Sequence, residues 1–479
     1  MMERASVVIV GGGFAGLSAA RALSGPSRRV IVLEARTGPD PRFRGELIHP
    51  PGVRVLADLG LHAPLRRAGG ADVEGFAVAL DPTAPPIALR YAEVRGGAPR
   101  GLAISHPDMV DCLRREVARE GEVEVRTGAR VVELVRDGER VVGVRTAGGG
   151  EIRADVTVVA EGRHSKLRRA LGFADETRLL SFTAALLVEG AELPRAGYGH
   201  VFLGVWGPIL AYCIGGGRVR MCVDLPVDTG KGAEAVTAFL REECAPSVPE
   251  PLRSAMLRTL AAGPPEICAN HAIKTRRCAA PGVALIGDSG GCSHPLTATG
   301  MTVALNDIRT LAGELYRIGF DRGRSPGVAA VDAALERYER NRYDFVRARE
   351  ILADGLYDVF RRGDDGARVV RSGLARYWTS GPRARAASLA LLSGHESRLR
   401  AFIAEYLWVV GESAASLLDG ESMGLPGGRR AAISGLARTA YDQLQRTAAL
   451  VASEAVRRGA ARAPGVARRM GLDEAGAQA

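Results

Sequence analysis

The sequence has few lysines and few aromatic residues. Lysine occurs only at Lys166, Lys231 and Lys274, although the formal net charge is +10. The positive charge therefore comes from arginine, a skew typical of coding bias, and we give it little weight as a sign of nucleic-acid binding. No homeodomain, zinc-finger or RNA-binding motif accompanies it, so we expect no nucleic-acid partner.

The cysteine pattern and the lack of long apolar runs exclude further classes. The seven cysteines are scattered, odd in number and never spaced as Cys-x-x-Cys, which argues against a disulfide framework and against a bound metal. No run of 18 apolar residues is present, and the N-terminal MMERASVVIVGGG does not resemble a signal peptide. The sequence therefore predicts a cytoplasmic protein with no membrane-spanning segment.

The chain nevertheless has the composition and length of a large globular protein. Its 479 residues are 46% hydrophobic and 25% charged, which predicts two or three domains with a substantial core. Residues 5–35 read as strand, glycine turn, helix and second strand, a single βαβ unit. Residues 180–225 alternate apolar and polar positions, as in an antiparallel sheet with one buried face, and VALIGD at 283–288 returns to the first pattern.

A dinucleotide-binding motif lies in the first βαβ unit. Gly11, Gly13 and Gly16 follow a strand and open a helix, and Glu34 ends the second strand. In this motif the first glycine permits a tight turn, the second lets the backbone approach a pyrophosphate, and the third lets the helix pack on the strand. The helix N-terminus stabilises the negative charge, and a carboxylate binds the ribose. The motif therefore predicts dinucleotide binding.

Two further segments carry polar groups at strand ends. Residues 160–168, AEGRHSKLR, begin a basic loop after a strand, and a solvated charged turn is an equally good interpretation of this segment alone. In GDSGGCSHPLTATGM, Asp288 ends a strand and small residues lead into a helix. A carboxylate there can accept a hydrogen bond from a ribityl hydroxyl group, and the helix N-terminus can stabilise charge on a reduced flavin.

The three segments together resemble the flavoprotein monooxygenases of the aromatic-hydroxylase fold. Within that group, RFRGELIHPPGVRVLADLGL (42–61), HPLTATGMTVALNDI (294–308) and RYDFVRAREILADGLYDVF (342–360) resemble squalene epoxidases. The chain departs from that family at several positions. The family usually has Gly-Gly-Gly at residues 298–300, Asp at Glu161, Gln at His49, Tyr at Phe76 and Arg at Leu102.

The resemblance implies an α/β fold in which a Rossmann-like FAD-binding domain is interleaved with an antiparallel-sheet substrate domain, followed by C-terminal helices. We expect the FAD-binding domain at residues 1–75, 101–178 and 279–330. We expect the substrate domain at 76–100 and 179–278, a helical region at 331–425 and a basic amphipathic tail at 426–479. In this tail we predict one apolar stripe formed by Ile433, Leu436, Ala440, Leu444, Thr447 and Val451.

The resemblance also implies site residues. The residues expected to bind FAD are Gly11, Gly13, Phe14, Ala15, Gly16, Glu34, Ala35, Arg42, Arg44, Glu161, Gly162, Gly287, Asp288, Pro295, Gly300 and Met301. Those expected to form the substrate pocket are His49, Phe76, Leu102, Leu203, Tyr212, His294, Leu296 and Thr297. We expect no catalytic side chain, because the implied reaction passes one oxygen atom of O2 from the C4a hydroperoxide of the flavin to an alkene.

The implied substrate is a hydrophobic isoprenoid, either squalene or the prenyl chain of a secondary metabolite such as a prenylated indole or quinolone. The implied electron donor is NAD(P)H, acting directly or through a partner reductase. The family's eukaryotic members dock on membranes through C-terminal helices, which makes the basic tail a possible peripheral contact with the inner face of the cytoplasmic membrane. Packing of the tail on the protein's own surface is an equal alternative.

Three other functions stay open at this stage. One is an epoxidase or hydroxylase that acts on the aromatic ring of a prenylated quinolone or indole. A flavin-dependent reductase of prenyl double bonds, similar to geranylgeranyl reductases, would use the same cofactor segments. A prenyl-binding chaperone of the Rab-escort kind keeps a related fold without using flavin, but the presence of Gly11, Gly13, Gly16, Glu34 and Asp288 argues against it. Anaerobic turnover would identify a reductase, and a colourless purified protein would identify a chaperone.

Overall fold

The structure is a computed structural model that describes residues 3–38, 40, 43–80, 85–204, 206–229, 232–275, 277–320, 326–418 and 428–462. The strands are β1 (Glu3–Val10), β2 (Val30–Glu34), β3 (Leu47–Ile48), β4 (Ala71–Val73), β5 (Gly75–Ala79), β6 (Ile87–Arg90), β7 (Gly101–Ala103), β8 (Val123–Thr127), β9 (Val131–Asp137), β10 (Arg140–Thr146), β11 (Glu151–Val159), β12 (Ala174–Glu189), β13 (Tyr198–Leu203), β14 (Pro208–Cys213), β15 (Arg218–Leu225), β16 (Glu266–Thr275), β17 (Ala279–Ala280) and β18 (Val283–Leu285).

The helices are α1 (Phe14–Leu23), α2 (Pro50–Asp58), α3 (His62–Arg67), α4 (His106–Ala118), α5 (Lys166–Ala170), α6 (Ala233–Phe239), α7 (Leu252–Ala262), α8 (Gly300–Arg317), α9 (Val328–Arg361), α10 (Asp365–Thr379), α11 (Pro382–Ser393), α12 (Leu399–Leu418) and α13 (Gly428–Arg462). Single helical turns at Gly287–Gly290 and Pro295–Thr297 precede α8.

The first sheet has a parallel centre of strand order β18-β11-β1-β2-β8. Strand β17 pairs antiparallel with β18, and β9 and β10 extend β11 as an antiparallel pair. Central parallel strands are covered on both faces and therefore read as apolar runs, as Val7, Val8 and Ile9 of β1 do, each fully buried. The carboxyl ends of β1, β11 and β18 lie side by side, and the three segments identified in the sequence follow these strands.

The second sheet has the order β16-β12-β15-β14-β13-β5-β6 and is antiparallel except for the pair β13 and β5. The two strands at one end of this order, β5 and β6, come from the chain between β4 and β7, so the two sheets are interleaved in sequence as predicted. One face packs on α6 and α7 through residues such as Val236 and Met256. The other face packs on the C-terminal helices through Phe76, Tyr212 and Trp378.

The C-terminal region is helical, as the sequence predicts. Helix α9 contacts α8 and α10, and α10 packs against α12 and α13. The residues of the predicted stripe lie within α13 but do not share one environment, because Leu436 and Thr447 are buried whereas Ile433 and Leu444 are exposed. The buried face of α13 is instead set by its neighbours, and Gln443 Nε2 donates a hydrogen bond to the carbonyl oxygen of Ile351 on α9 at 3.3 Å. Residues 419–427 and 463–479 of the predicted linker and tail lie outside the described residues.

Helix α12 is long and apolar enough to cross a membrane, judged by length and composition alone; it is the one such helix among the described residues. The sequence predicts no spanning segment because it contains no run of 18 apolar residues, and in this stretch Arg400, Glu405 and Glu412 interrupt the apolar residues. The helix packs on α10 with one face, so it forms part of the folded helical region.

Candidate active site

The glycine turn after β1 is shaped by two close backbone approaches. Gly11 has a φ of +112°, and a Cβ there would lie 2.4 Å from the carbonyl oxygen of Ala160. Ala160 directly follows β11, the strand that pairs with β1. A Cβ on Gly16 would lie 1.8 Å from the carbonyl oxygen of Gly11. A Cβ on Gly13 would meet no atom within 4 Å, so this residue borders open space. The turn therefore leaves backbone exposed in front of the N-terminus of α1, the arrangement that a pyrophosphate requires.

The acidic residue at the end of β2 is fixed by main-chain donors. Glu34 Oε2 accepts a hydrogen bond from the Gly12 amide at 2.7 Å, and Oε1 accepts one from the Arg36 amide at 2.8 Å. This places the carboxylate beside the glycine turn, where the ribose of a dinucleotide lies in this fold. Nearby, Arg44 Nη2 lies 3.0 Å from Asp40 Oδ2. Arg42, also predicted to bind the cofactor, lies outside the described residues.

The second segment is joined to the third by a buried arginine. Glu161 Oε2 accepts hydrogen bonds from Ser165 Oγ at 2.6 Å and from the Leu167 amide at 3.0 Å, so its carboxylate holds the start of α5. Arg168, only 2% exposed, donates from Nη1 to the carbonyl oxygen of Asp288 at 3.1 Å. The sequence motif contained Arg168, but only the structure reveals that its role is to tie the two loops together.

Asp288 lies on a turn that is fixed by a buried ion pair between Asp307 and Arg342. The Gly287 amide donates to Asp307 Oδ2 at 2.9 Å, and Arg342 Nε donates to the same oxygen at 3.0 Å. Burial raises the pKa of Asp307, and the adjacent Arg342 opposes that rise. Sequence reasoning missed both residues, because each is a single polar position within a long helix and no local pattern connects them.

The loop before α8 contains a backbone conformation that normally favours glycine. Ala298 has a φ of +51° and a ψ of 26° in the left-handed region. Glycine, which the resemblance implies for the family at this position, adopts this conformation without steric cost, whereas alanine is strained by about 1 kcal/mol. Helix α8 begins two residues later at Gly300, so its N-terminal amides lie at the cavity wall formed with Pro295 and Met301.

A cavity of about 860 Å³ joins these segments to the second sheet. The predicted cofactor residues in its wall are Gly11, Gly13, Phe14, Ala15, Glu34, Ala35, Arg44, Glu161, Gly162, Gly287, Asp288, Pro295, Gly300 and Met301. Gly16 lies behind them, packed on Gly11. The open space at Gly13, the fixed carboxylate of Glu34 and the N-termini of α1 and α8 meet the requirements of a flavin dinucleotide, so the residues present fit FAD.

Of the predicted pocket residues, Tyr212, His294 and Leu296 line the cavity. Phe76 and Leu203 do not line it but belong to the apolar cluster that surrounds Tyr212. His49, Thr297 and Leu102 are also buried outside the cavity wall. His49 Nδ1 accepts a hydrogen bond from the hydroxyl group of Tyr91 at 2.6 Å, and its Nε2 donates to the carbonyl oxygen of Thr297 at 2.9 Å. His49 thus supports the loop from behind.

His294 belongs to a buried polar network at the roof of the cavity. Its Nδ1 accepts a hydrogen bond from the Leu296 amide at 3.1 Å, so Nε2 carries the proton. Nε2 lies 2.9 Å from Ser181 Oγ and 3.2 Å from Asp224 Oδ1. Asn270 Nδ2 donates to Ser181 Oγ at 2.9 Å. The network attaches the 294–297 loop to β12, β15 and β16, and sequence reasoning found only its histidine.

Comparison with known proteins identifies the family. A family profile described as squalene epoxidase matches residues 153–425, and one described as an NAD(P)-binding Rossmann-like domain matches residues 9–67. Squalene epoxidase 2, mitochondrial, of Arabidopsis thaliana is 32% identical over 403 residues, covering 82% of this chain and 67% of that protein. Squalene epoxidase erg1 of Aspergillus fumigatus is 30% identical over 390 residues, covering 79% of this chain and 80% of that protein.

Solved structures agree on the fold. The probable FAD-dependent monooxygenase pqsL of Pseudomonas aeruginosa superposes with a TM-score of 0.62 at 24% identity, covering 75% of this chain and 97% of that one. The p-nitrophenol 4-monooxygenase PnpA of Pseudomonas putida gives a TM-score of 0.67 at 20% identity, covering 83% of this chain and all of that one. The chain belongs to the squalene epoxidase family and is an FAD-dependent monooxygenase of the epoxidase type.

Proposed function

We propose that the enzyme adds one oxygen atom of O2 to a double bond of a hydrophobic isoprenoid, either squalene or the prenyl chain of a larger metabolite. The observation that carries this proposal is the shared cavity. Its wall includes both the dinucleotide segments and apolar side chains of the second sheet, such as Leu210 and Tyr212. The names of the squalene epoxidase relatives support the same substrate class.

The chain's own residues have binding and positioning roles. Bound FAD supplies the activation of oxygen. The glycine turn and Glu34 hold the dinucleotide. Arg168 fixes the loop at residue 161 to the loop at residue 288 through its hydrogen bond to the Asp288 carbonyl oxygen. The apolar wall at Leu296 and Tyr212 excludes water and holds the alkene near the reacting centre. No side chain has to act as a general base in this scheme.

Reducing equivalents come from NAD(P)H, directly or through a partner reductase. A purified protein that oxidises NADPH without any added reductase would identify direct transfer. Turnover that appears only when a flavoprotein reductase is added would identify a partner.

The enzyme works at the surface of a membrane, where a water-insoluble substrate accumulates. Beyond Arg400 in its first turn, the exposed side of α12 carries Ala404, Leu407, Trp408, Ala414 and Leu418 at helical spacing. We call this set the α12 stripe. Apolar side chains on one solvent-facing side of a helix are typical of a surface that contacts lipid. We place the enzyme in the cytoplasm, peripheral to the inner face of the cytoplasmic membrane.

The test is product analysis with isotope-labelled O2. The FAD-loaded enzyme, NADPH and a reductase are incubated with squalene, a prenylated indole or a prenylated quinolone. The proposal expects an epoxide that carries one labelled oxygen from at least one substrate. A saturated product formed without O2 would instead identify a prenyl reductase, and oxygenation of the aromatic ring would identify an aromatic hydroxylase.

A further inference from the structure

A second cavity, of about 720 Å³, lies between α8, α9 and the start of α12. Its wall contains five arginines and one carboxylate. The arginines are Arg309, Arg317, Arg347, Arg398 and Arg400, and the carboxylate is Glu314. We call this cavity the arginine groove. An excess of positive charge around a concave surface attracts an anionic ligand.

Glu314 does not neutralise the groove, because three partners already share its carboxylate. The side chain is 2% exposed, and it accepts hydrogen bonds from Arg317 Nη1 at 2.5 Å, Arg337 Nε at 2.7 Å and Asn341 Nδ2 at 3.0 Å. These bonds hold the Arg317 guanidinium group at the wall. Arg337 brings a further positive charge from outside the wall, so the groove keeps a net positive charge.

Two arginines of the wall have no carboxylate partner within the described part of the chain. Arg309 Nη2 donates to the neutral amide oxygen of Asn306 at 2.8 Å, and Asn306 is itself a wall residue, which places this guanidinium group at the groove. Arg400 makes no ion pair or hydrogen bond with a described residue. A third arginine, Arg347, is 5% exposed and packs over the ring of Tyr343 at 4.6 Å, so its position in the wall is fixed.

The N-terminus of α12 adds main-chain donors to the same wall. Glu396 Oε1 accepts hydrogen bonds from the Arg398 amide at 2.8 Å and from Arg398 Nε at 2.9 Å. The next two amides, of Leu399 and Arg400, belong to the first turn of a 20-residue helix and have no partner within it. A helix N-terminus favours negative charge, and the arginine fork matches the paired oxygens of a phosphate.

The neighbours of the groove indicate which anion it receives. The residues that line it and those that line the cofactor cavity do not overlap, so a nucleotide bound here would not lie against the flavin site. The groove does meet the α12 stripe, because Arg400 lies one turn before Ala404 on the exposed side of the helix. Helical side chains tilt toward the N-terminus, which directs Arg400 away from the stripe and toward the groove. An amphiphile therefore fits, with its apolar part on the stripe and its anionic end in the groove.

We propose that the arginine groove binds the phosphate of an anionic phospholipid headgroup while the α12 stripe lies on the membrane. This inference rests on the membrane contact of the proposed function, since it names the kind of lipid that the contact requires.

The first measurement uses soluble lipids and therefore needs no membrane. The FAD-loaded enzyme is titrated by calorimetry with monomeric dihexanoyl phosphatidylglycerol, with monomeric dihexanoyl phosphatidylcholine and with inorganic phosphate. We expect the phosphatidylglycerol to bind at least tenfold more tightly than the other two, because it combines a net negative charge with an apolar body. Equal binding of the two lipids would overturn the proposal. Inorganic phosphate that binds as tightly as the phosphatidylglycerol would overturn it too, by identifying a site for free anions.

Variants test whether the groove is responsible. R309Q/R400Q removes the two charges that lack a carboxylate partner, and the preference for phosphatidylglycerol should fall about tenfold or more. FAD content and melting temperature should stay as in the wild type, because both side chains are exposed. R309K/R400K keeps the charges without the forks and should keep part of the preference.

The matched control is R67Q/R169Q, which changes the net charge equally by removing two exposed arginines, one on α3 and one on α5. It should bind both lipids like the wild type. A control that loses as much preference as R309Q/R400Q would show that overall charge, and not the groove, selects the lipid.

Flotation with vesicles separates this inference from the membrane contact. The wild type should partition at least tenfold more onto vesicles that contain phosphatidylglycerol than onto pure phosphatidylcholine vesicles, and R309Q/R400Q should lose this preference. L407E/W408E should lose vesicle binding yet keep the preference among the short-chain lipids. A wild type that binds short-chain phosphatidylglycerol but no vesicle contradicts only the membrane contact. One that floats equally on both kinds of vesicle contradicts only the inference about the groove.

Discussion

Glu46 and Arg220 form a two-point ion pair that joins the dinucleotide-binding domain to the second sheet. Arg220 Nε donates to Glu46 Oε2 at 2.8 Å and Nη2 donates to Oε1 at 2.9 Å, with side chains 9% and 1% exposed. Glu46 also lines the cavity. Because a buried pair is held at two points, it fixes the relative position of the two sheets where the cofactor and substrate meet.

Removing one member of this pair should be more harmful than removing both. In E46L the arginine is left buried without its counterion, so we expect the free energy of unfolding to fall by about 3 kcal/mol. The double variant E46L/R220L leaves no buried charge unpaired, so its loss should be smaller than that of either single variant, E46L or R220L. Urea denaturation of all three variants measures this coupling. As a control, R4Q removes the exposed ion pair with Asp155 and should cost less than about 1 kcal/mol.

Two glycines of the same turn should respond differently to alanine. In G11A the new Cβ meets the Ala160 carbonyl at 2.4 Å and the φ of +112° is unfavourable, so we expect a loss of stability of about 2 kcal/mol or more. In G13A the Cβ meets no protein atom within 4 Å, so folding should be normal. This Cβ occupies the space that a pyrophosphate approaches, and FAD affinity should fall about tenfold or more.

Thermal melting of the apoprotein and flavin fluorescence titration separate the two effects. A G13A protein that binds FAD as tightly as the wild type would show that the dinucleotide does not cross this turn.

The parts that the sequence predicted are those in which the signal is local. The glycines of the first turn and Glu34 lie within one βαβ unit, and their spacing is dictated by a single ligand group. The supports of the third segment could not be predicted in this way. Arg168 and Asp288 are 120 positions apart, and Asp307 and Arg342 lie 35 positions apart on different helices. Such pairs follow from packing, which no periodicity encodes.

Three of the pocket residues, His49, Phe76 and Leu102, were predicted from departures from the family pattern, and all three are buried outside the cavity wall. Phe76 lies on β5 in the apolar cluster that includes Tyr212. His49 bonds to the carbonyl oxygen of Thr297 and so supports the 294–297 loop.

His49 should make stability depend on pH. Burial lowers its pKa to about 4, and the value in an unfolded chain is about 6.5. Below pH 6.5 the unfolded chain therefore binds more protons than the folded one. Stability should fall as the pH is lowered from about 6.5 to about 4, by up to about 3 kcal/mol in total from this residue.

The variant H49Q tests this by removing the titration. Glutamine can still donate to the Thr297 carbonyl and accept from the Tyr91 hydroxyl group, so the loop should keep its supports. Urea unfolding at pH 5 and at pH 7 should differ less in H49Q than in the wild type. Burial also lowers the pKa of His200 to about 4, so H200Q serves as an independent second site. An unchanged pH dependence in H49Q would mean that His49 is hydrated in the folded protein.

The α12 stripe should control attachment to lipid vesicles. Leu407 and Trp408 are 55% and 61% exposed, so replacing them with glutamate should leave the free energy of unfolding nearly unchanged. Burial of each side chain in lipid is worth about 1.5–3 kcal/mol, and the charged replacements are repelled by anionic headgroups. We expect L407E/W408E to reduce partitioning onto phosphatidylglycerol-containing vesicles by about tenfold or more in a flotation assay.

V132E, at another exposed apolar residue, should float like the wild type, because Val132 lies on the dinucleotide-binding domain. A wild-type protein that stays unbound, or a double variant that floats as well as the wild type, would rule out the α12 stripe as the membrane contact.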